Sequence, residues 1–298
     1  MQGLNEISGE LSGIVEKAAP SVVRVEARRR IPGSGIVWAA DGTIVTADHI
    51  VEREEDLRIG LADGRVVEAA LVGRDPTTDV AVLRAQAAGL SVPAWSDGER
   101  AKVGQLVLAL ARPGRTVRAR LGMISALGDA WRAPAGGELT RYLEADVAIR
   151  FGFSGGPLVD TAGGVLGMNT AGLLRDAALT VPVATLRRVV TALLTHGRIR
   201  RGYLGLGAHP VRLPAAWQQQ GQEAGLLIVS IEPGSPAERG GFLMGDTLVA
   251  LDGTPVRRHD DIQARLTPES VGTSVRVRLI RGGEVKELTV TIGERPAR

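Results

Sequence analysis

The chain has 298 residues, which is enough for two domains that each bury an apolar core. It contains 44% apolar and 23% charged residues, carries a formal net charge of +3 and has no cysteine, so disulfides, thiol nucleophiles and cysteine-ligated metals are excluded. Aromatic residues make up 3% of the chain and no basic stretch is interleaved with them, which argues against a nucleic-acid partner.

The N-terminal segment lacks the pattern of a secretory signal peptide. Glu6, Glu10, Glu16 and Lys17 interrupt any apolar segment there. No stretch approaches the ~20 uninterrupted apolar residues that a membrane span needs. We therefore expect no membrane span and a chain that begins in the cytoplasm, unless a leader was trimmed from it.

The predicted elements begin with one helix and continue as a series of strands. Apolar residues from Leu4 to Val15 recur at helical spacing, and Pro20 ends the predicted helix. From Ser21 the segments are short, rich in β-branched residues and separated by turn signals such as Asp41-Gly42. The predicted strands cover residues 21–27, 35–39, 43–47, 57–61, 65–72, 80–84, 105–111, 116–126, 141–149, 157–159, 164–169 and 178–181. About a dozen short strands of this kind predict a barrel or a sandwich.

A second, smaller unit follows. Helical spacing returns from Leu186 to Leu194, and Gly197 is suited to end that helix. Residues 198–202 are predicted to be an exposed linker. Beyond them, strands are predicted over residues 226–231, 247–251, 274–280 and 285–292, with a helix over residues 260–266.

One motif suggests a catalytic nucleophile. Ser154 lies between glycines in the run Gly-Phe-Ser-Gly-Gly-Pro-Leu, just before an apolar segment. A serine hydroxyl needs a neighbouring base and amide donors for the developing oxyanion before it can act as a nucleophile. Without such partners, a serine in a glycine-rich turn is more often only a turn residue.

The candidate partners are His49 and Asp79. His49 is the one histidine at the end of a predicted strand in the first unit, and Asp79 directly precedes an apolar strand where its carboxylate would be buried. A buried carboxylate needs a partner, and an imidazole N–H is a suitable one. Asp75 precedes a proline and is predicted to be a turn residue, while Asp48 would point away from its neighbour His49 in an extended chain.

The order His–Asp–Ser is that of chymotrypsin-type serine proteases. With it, the chain resembles the HtrA (DegP/DegS-like) family, in which a trypsin-like double β-barrel is followed by a PDZ domain. The resemblance is carried by residues 33–35, 44–51, 78–83, 145–158 and 169–171 in the first unit, and by residues 203–206, 233–237 and 245–246 in the second.

The resemblance implies a mainly β chain with a trypsin-like protease domain over residues 1–197, the linker over 198–202 and a small α+β PDZ domain over 203–294. It implies that Ser154 is the nucleophile, His49 the general base and Asp79 the orienting acid. The backbone amides of Gly152 and Ser154 would form the oxyanion hole. Ile149 would line an S1 pocket suited to small aliphatic residues such as Val or Ala, with simple core packing as the alternative role.

The second unit is expected to bind the C-termini of hydrophobic peptides. The resemblance assigns the carboxylate-binding loop to Tyr203, Leu204, Gly205 and Leu206. Ile262 and Leu266 would line the pocket for the last side chain, although either could equally be a helix–sheet core contact. The family also implies a homotrimer, yet residues 1–37, where family trimers commonly pack aromatic side chains, contain no Phe, Tyr or Trp.

The chain departs from the family pattern just before the serine. Arg150, Phe151 and Phe153 stand in a run where the family usually has asparagines. Phe153 places a bulky side chain directly before Ser154, so the departures raise the question of whether the oxyanion hole is formed at rest.

We predict a serine endopeptidase that cleaves unfolded or damaged proteins by acyl-enzyme chemistry and whose activity is gated by peptides bound at the PDZ domain. The alternative is a peptide-binding, chaperone-like scaffold with weak or latent proteolysis. A metal hydrolase is disfavoured, because the four histidines are scattered and no His-Glu-x-x-His motif is present. No metal or other cofactor is expected.

Overall fold

A computed structural model of the chain describes residues 2–29, 31–149, 151–174, 177, 179–213, 215–218 and 221–295. Arg150, and Ala178 at the start of one predicted strand, therefore lie outside the described residues. The chain divides into two compact units, residues 1–199 and 200–298. The division falls within the segment predicted to be a linker.

The first unit begins with helix α1 (Gln2–Ala18), as its apolar spacing predicts. Leu11, Ile14 and Val15 pack against the core of the unit, whereas Leu4 and Ile7 are exposed. A short 3-10 turn over Ala19–Ser21 contains Pro20 and ends the helix, because proline removes a backbone donor.

Six strands of the first unit close into a first barrel. They are β1 (Val22–Glu26), β2 (Gly33–Val37), β3 (Thr43–Thr46), β4 (Leu57–Gly60), β5 (Val66–Asp75) and β6 (Val80–Ala85). Their order around the barrel is β1-β2-β3-β6-β5-β4, and every adjacent pair is antiparallel. Every residue of β2 and β3 is buried, so these strands form part of the centre of the unit.

A second barrel follows in the same unit. Its strands come from the series β7 (Leu106–Ala111), β8 (Arg118–Gly128), β9 (Trp131–Arg132), β10 (Glu138–Leu139), β11 (Tyr142–Ala145), β12 (Pro157–Asp160), β13 (Val165–Thr170) and β14 (Leu179–Pro182). The barrel order is β11-β14-β13-β12-β7-β8, and β9 and β10 pair separately. The prediction of a mainly β, double-barrel domain is confirmed.

In this unit, one predicted strand is shorter in the structure than predicted, and one predicted helix end matches the structure. The strand predicted over residues 141–149 ends at Ala145, because the register with β8 shifts there and Val147 N donates to Ala145 O in a turn. Helix α2 (Val183–His196) ends as predicted at Gly197, whose left-handed φ of 69° suits glycine. The helix packs its apolar face into the core shared by the two barrels.

The second unit is a small α+β fold. Its elements are β15 (Gly202–Tyr203), β16 (Leu206–Arg212), α3 (Ala215–Gln218), β17 (Ala224–Ile231), α4 (Pro236–Arg239), β18 (Thr247–Leu251), β19 (Thr254–Pro255), α5 (His259–Gln263), β20 (Ser274–Arg281), β21 (Glu284–Thr291) and β22 (Gly293–Glu294). The main sheet has the order β16-β17-β18-β20-β21, and β15 pairs with β22. Helix α5 ends at Gln263, so it is shorter than the predicted helix over residues 260–266.

An ion pair with a buried carboxylate joins the residue before β18 to the end of β20. The carboxylate of Asp246, which is 1% exposed, accepts hydrogen bonds from Arg281 Nε at 2.7 Å and Arg281 Nη2 at 2.8 Å. It also accepts one from Leu243 N at 2.8 Å. Burial by itself would raise the pKa of Asp246, but these hydrogen bonds outweigh it and hold the pKa below its usual value.

We expect Asp246→Asn to destabilise the second unit by about 2–3 kcal/mol, because a charge-assisted bidentate contact is lost and Arg281 keeps its charge. A carboxyl with a lowered folded-state pKa stabilises the fold above its unfolded pKa, and this contribution is lost as pH falls through the folded pKa. The difference between wild type and variant should therefore be full at pH 7 and shrink below about pH 4. Hydrogen exchange of the β18 amides in the full chain measures it.

The matched control is Glu287→Gln, which removes the exposed Arg278–Glu287 pair. That change should cost less than about 0.5 kcal/mol. Equal losses of unfolding free energy in the two variants would contradict the larger contribution that we assign to the Asp246–Arg281 pair.

Candidate active site

The first barrel brings His49 and Asp79 together. Strands β3 and β6 are antiparallel, and Thr46 pairs with Ala81, so the segment after β3 and the segment before β6 lie at the same end of the barrel. His49 lies in a 3-10 turn over Asp48–Ile50. Its Nδ1 is 2.8 Å from Asp79 Oδ2, and its backbone N donates to Asp79 Oδ1 at 2.9 Å. Because a carboxylate only accepts, Nδ1 carries the proton of this contact.

Asp79 is a buried carboxylate with an additional donor from the second barrel. It is 3% exposed, and its Oδ2 also accepts a hydrogen bond from the hydroxyl of Thr170, at the end of β13. Thr170 Oγ1 in turn accepts from Gly172 N at 2.9 Å. Asp79 has a left-handed φ of 55°, an unfavourable conformation for a non-glycine residue. Three hydrogen bonds to its carboxylate and one from Asp48 N to its backbone O hold it in place.

The two competing carboxylates are engaged elsewhere. Arg74 Nε donates to Asp48 Oδ1; burial raises the pKa of Asp48, and the hydrogen bond from Arg74 opposes this rise. Asp75 accepts hydrogen bonds from Thr77 and Thr78 within its own turn. Of these three carboxylates, Asp79 is the one that contacts the imidazole of His49.

The second barrel contributes the turn that contains Ser154. Gly155 N donates to Asn169 O at 2.9 Å and Asn169 N donates to Gly156 O at 2.8 Å, so this turn lies beside the end of β13. Ser154 is 7% exposed, and its Oγ accepts a hydrogen bond from Ala171 N at 3.4 Å. Across the described residues, no hydrogen bond joins Ser154 Oγ to His49, and such contacts often shorten only when substrate binds.

Glycine is required in this turn. Gly155 has a φ of 86°, and a Cβ there would lie 2.0 Å from Ser34 O and 2.6 Å from Thr46 Oγ1. The turn therefore packs directly against strands of the first barrel. Among the described residues, no hydrogen bond from the backbone amide of Gly152 or Ser154 to a partner is found.

The residues that depart from the family pattern occupy different surroundings. Phe153 is 3% exposed in the apolar core of the second barrel, and the Arg120 guanidinium lies 5.0 Å from its ring centroid. Ile149 is partly buried against the same cluster. Phe151 is 74% exposed. The bulky side chain before Ser154 therefore points into the core.

The predicted loop of the second unit connects β15 to β16. Leu204 is buried, Gly205 has a left-handed φ of 76°, and Tyr203 Oη donates to Glu232 Oε2. Leu204 O and Gly205 O accept hydrogen bonds from Ala237 N and Glu232 N, both at 2.8 Å. These contacts fix the carbonyl groups of the loop.

Helix α5 lies against strand β16. Ile262 is 6% exposed within the core of the second unit, and Leu266 is partly buried against that core. His259 Nε2, at the start of the helix, is 2.7 Å from Ala208 O on β16. Since a carbonyl oxygen only accepts, the His259 ring donates to it.

Three residues with structural roles at these sites received no role from the sequence: Ser34, Thr170 and His259. Ser34 and Thr170 lie in the stretches 33–35 and 169–171 that carry the family resemblance, so those motifs contained a signal. His259 stands outside any motif. The contacts of all three cross between segments distant in sequence, which spacing does not reveal.

In the described ranges, no cluster of three or more His, Asp or Glu side chains is arranged to hold a metal ion. Nor does any described helix have the length and apolar character required to cross a membrane.

Comparisons with known proteins agree with this architecture. Residues 33–168 match the family model of a trypsin-like peptidase domain, and residues 202–292 match that of a PDZ domain. The chain is 33% identical to a probable periplasmic DegP-like serine endoprotease of Halomonas elongata, over 97% of this chain and 62% of that protein. It is 32% identical to the putative serine protease HhoB of Synechocystis sp., over 90% of this chain and 68% of that protein.

Solved structures of proteases are also similar to this chain over nearly its whole length. The HtrA-type protease AlgW with a decapeptide is 25% identical, with a TM-score of 0.78 and coverage of 96% of this chain and 99% of that chain. The serine endoprotease from Yersinia pestis is 28% identical, with a TM-score of 0.78 and coverage of 96% and 98%. The chain thus spans nearly all of these solved chains, but about three-fifths of the Halomonas relative.

We expect Gly172→Ala to break the contact between His49 and Asp79. A Cβ at position 172 would lie 2.6 Å from both Asp79 Oδ2 and His49 Nδ1, closer than non-bonded atoms allow. The downfield proton resonance of His49 Nδ1–H should therefore be lost from the NMR spectrum. Gly13→Ala is the control, because a Cβ at that position of α1 has no atom within 4 Å. A resonance that persists unchanged in Gly172→Ala would contradict the described geometry.

Proposed function

This chain belongs to the HtrA family of trypsin-like serine proteases with a PDZ domain, and we propose that it is a serine endopeptidase that cleaves unfolded or damaged proteins. The observation that carries the proposal is the contact between the buried carboxylate of Asp79 and the solvent-accessible imidazole of His49 at the end of one barrel, beside the Ser154 turn of the other. The proposal includes a protease domain over residues 1–197, a linker over residues 198–202 and a PDZ domain over residues 203–294.

In the proposed reaction, Ser154 Oγ attacks the carbonyl carbon of the scissile peptide bond. His49 Nδ1 donates to Asp79, which leaves the Nε2 lone pair free to take the hydroxyl proton. Asp79 stabilises the imidazolium that forms, and His49 then gives the proton to the leaving amine. The resulting acyl-enzyme is hydrolysed by water, which His49 activates in the same way.

The amides of Gly152 and Ser154 would stabilise the negative charge on the tetrahedral intermediate. Loss of one such donor typically costs about 3 kcal/mol of transition-state stabilisation. Ile149 would form an aliphatic wall of the S1 pocket and favour small aliphatic residues at P1. Because Ser154 is recessed, an extended and flexible segment of an unfolded chain would reach it more readily than a folded surface.

We expect a fluorophosphonate probe to label the wild-type chain and not Ser154→Ala, and turnover of casein to be lost in that variant by a factor of about 10³ or more. The probe requires an activated serine, so labelling reports the competence of the site. Ser125→Ala, which removes an exposed hydroxyl on β8, is the matched control and should react like wild type.

Unchanged casein turnover in Ser154→Ala would overturn the proposed function. Aggregation suppression without any Ser154-dependent labelling would instead favour the chaperone-like scaffold.

The second unit is proposed to bind hydrophobic C-terminal peptides and to gate the protease when occupied. Backbone amides of the loop Tyr203, Leu204, Gly205 and Leu206 would receive the terminal carboxylate. The peptide would add to the edge of β16, with its last side chain against Leu266 and Ile262. Support comes from the position of β16 at the end of the sheet order.

His259 occupies part of that edge. Proline has no N–H, so Pro210 fits an edge strand with its nitrogen directed away from the neighbouring strand β17. Residues two apart in a strand direct their peptide groups to the same side, so Ala208 O also faces the free edge. An incoming peptide N–H would need this carbonyl, to which His259 already donates.

We expect His259→Ala to strengthen peptide binding about 3- to 10-fold, because the peptide no longer displaces a hydrogen bond worth about 1 kcal/mol. The measurement is fluorescence anisotropy of a labelled decapeptide with apolar C-terminal residues, on full-length Ser154→Ala to prevent cleavage. The same peptide should raise kcat/KM of the wild type. The amidated peptide should do neither, because it lacks the carboxylate.

His196→Ala removes a histidine from α2, in the first unit, and is the control with unchanged peptide affinity. Equal or weaker binding by His259→Ala would contradict the competition for Ala208 O.

A further inference from the structure

We propose that Ser34, a buried residue of the first barrel, is a positioning residue that sets the orientation of the oxyanion hole. This inference rests on the proposed function, because it concerns the amides of Gly152 and Ser154 as donors to a tetrahedral intermediate. Ser34 is fully buried on β2, and it binds carbonyl oxygens of the Ser154 turn and not the hydroxyl of Ser154.

Ser34 holds the Ser154 turn at two points. Its hydroxyl donates to Gly152 O at 2.6 Å, and its backbone N donates to Ser154 O at 3.1 Å. The carbonyl between these two, Phe153 O, accepts from Gly156 N at 3.0 Å. All three consecutive carbonyl groups of the turn are therefore bound, two of them by Ser34.

Bound carbonyl groups fix the direction of the amides. In a trans peptide the N–H points opposite to the C=O, so the engagement of Phe153 O directs the N–H of Ser154 away from the inside of the turn. The Gly152 amide has no equivalent constraint from its own peptide unit in the described residues. Its direction relative to the fixed Gly152 carbonyl is set by the two backbone dihedrals of Gly152, of which φ is 86°.

Gly152 is the residue that most needs this constraint. Glycine has access to a wide range of backbone conformations, and the peptide units on either side of it can rotate at little cost. A Cβ at this position would lie 2.5 Å from Pro113 Cβ, so a stiffer residue cannot replace glycine here. The Ser34 hydroxyl binds Gly152 O and is thus the contact that selects one orientation of the peptide unit between Gly152 and Phe153.

The hydroxyl of Ser34 is itself oriented. Its Oγ accepts from Arg112 N at 2.8 Å, so its single proton is left for Gly152 O. The Arg112 guanidinium is anchored in turn by the carbonyl oxygens of Val22, Ala19 and Arg115. Thr46 Oγ1 donates to Ser34 O at 2.7 Å and fixes the other side of the residue. The donor direction is therefore determined before any substrate arrives.

The test is Ser34→Ala in the full chain. Without the hydroxyl, the Gly152 peptide unit can rotate, and we expect kcat for casein-derived peptide hydrolysis to fall about 10- to 100-fold while KM changes by less than about threefold. Ser21→Ala is the matched control, because Ser21 is equally buried and its hydroxyl donates to Ala18 O at 2.8 Å. Its kcat should stay within about threefold of wild type.

A second readout separates positioning from general destabilisation. The phosphoryl oxygen of a fluorophosphonate adduct on Ser154 occupies the place of the oxyanion, so the ³¹P resonance of the adduct reports the hydrogen bonds there. We expect the resonance to shift in Ser34→Ala and to remain at its wild-type position in Ser21→Ala. If Ser34→Ala does not fold, Ser34→Cys, whose thiol is a weaker donor, replaces it and should give a smaller shift in the same direction.

The outcomes are distinct. If the adduct of the Ser34 variant has the same ³¹P resonance and the same formation rate as the wild-type adduct, this inference is overturned and the proposed function is left intact. Failure of the wild type to form any adduct on Ser154 would overturn the proposed function and this inference with it. A kcat loss that is equal in Ser34→Ala and Ser21→Ala would assign Ser34 a purely structural role.

Discussion

The buried carboxylate of Asp79 is the constraint around which the candidate active site is arranged. An ionised group with 3% exposure is costly unless several donors satisfy it. Here the donors come from both barrels: the backbone and ring of His49 from the first, and the hydroxyl of Thr170 from the second. The same contacts hold the imidazole in one tautomer and keep Asp79 in its left-handed conformation.

A second set of contacts joins the barrels a few residues away. Ser34 on β2 binds the carbonyl groups on both sides of Phe153, and the close approach of Ser34 O requires glycine at position 155. Together, the two sets hold His49 and Ser154 on different barrels next to one junction. Rigid strands are better suited than loops to this task, because catalytic geometry tolerates displacements of only about 0.5 Å.

In the second unit, the feature that matters is the edge strand β16 and not a buried charge. Strand β16 lies at the edge of its sheet, where we propose that a peptide adds a strand, and such edges are normally covered or blocked. In this chain Pro210 limits the ladder and the ring of His259 occupies Ala208 O. In the proposed function, a peptide that adds to this edge has to replace the hydrogen bond between His259 and Ala208 O.

Phe153 illustrates what the sequence leaves open. A bulky residue directly before Ser154 looks like an obstacle in the sequence, yet it fills the core of the second barrel beneath Arg120. The direction of a side chain in a turn depends on the barrel around it, so spacing could not decide between these positions.

The sequence by itself determined the number of units and the mainly β character of the first. It also determined a first helix that ends before Pro20 and a second helix that ends at Gly197. These features follow from local periodicity and turn chemistry, which act over a few residues. The order of His49, Asp79 and Ser154 also made them candidates. Only the tertiary structure decided that Asp79 and His49 are in contact, and that Thr170 and Ser34 complete the surroundings, because these contacts join residues 30 to 118 positions apart in the chain.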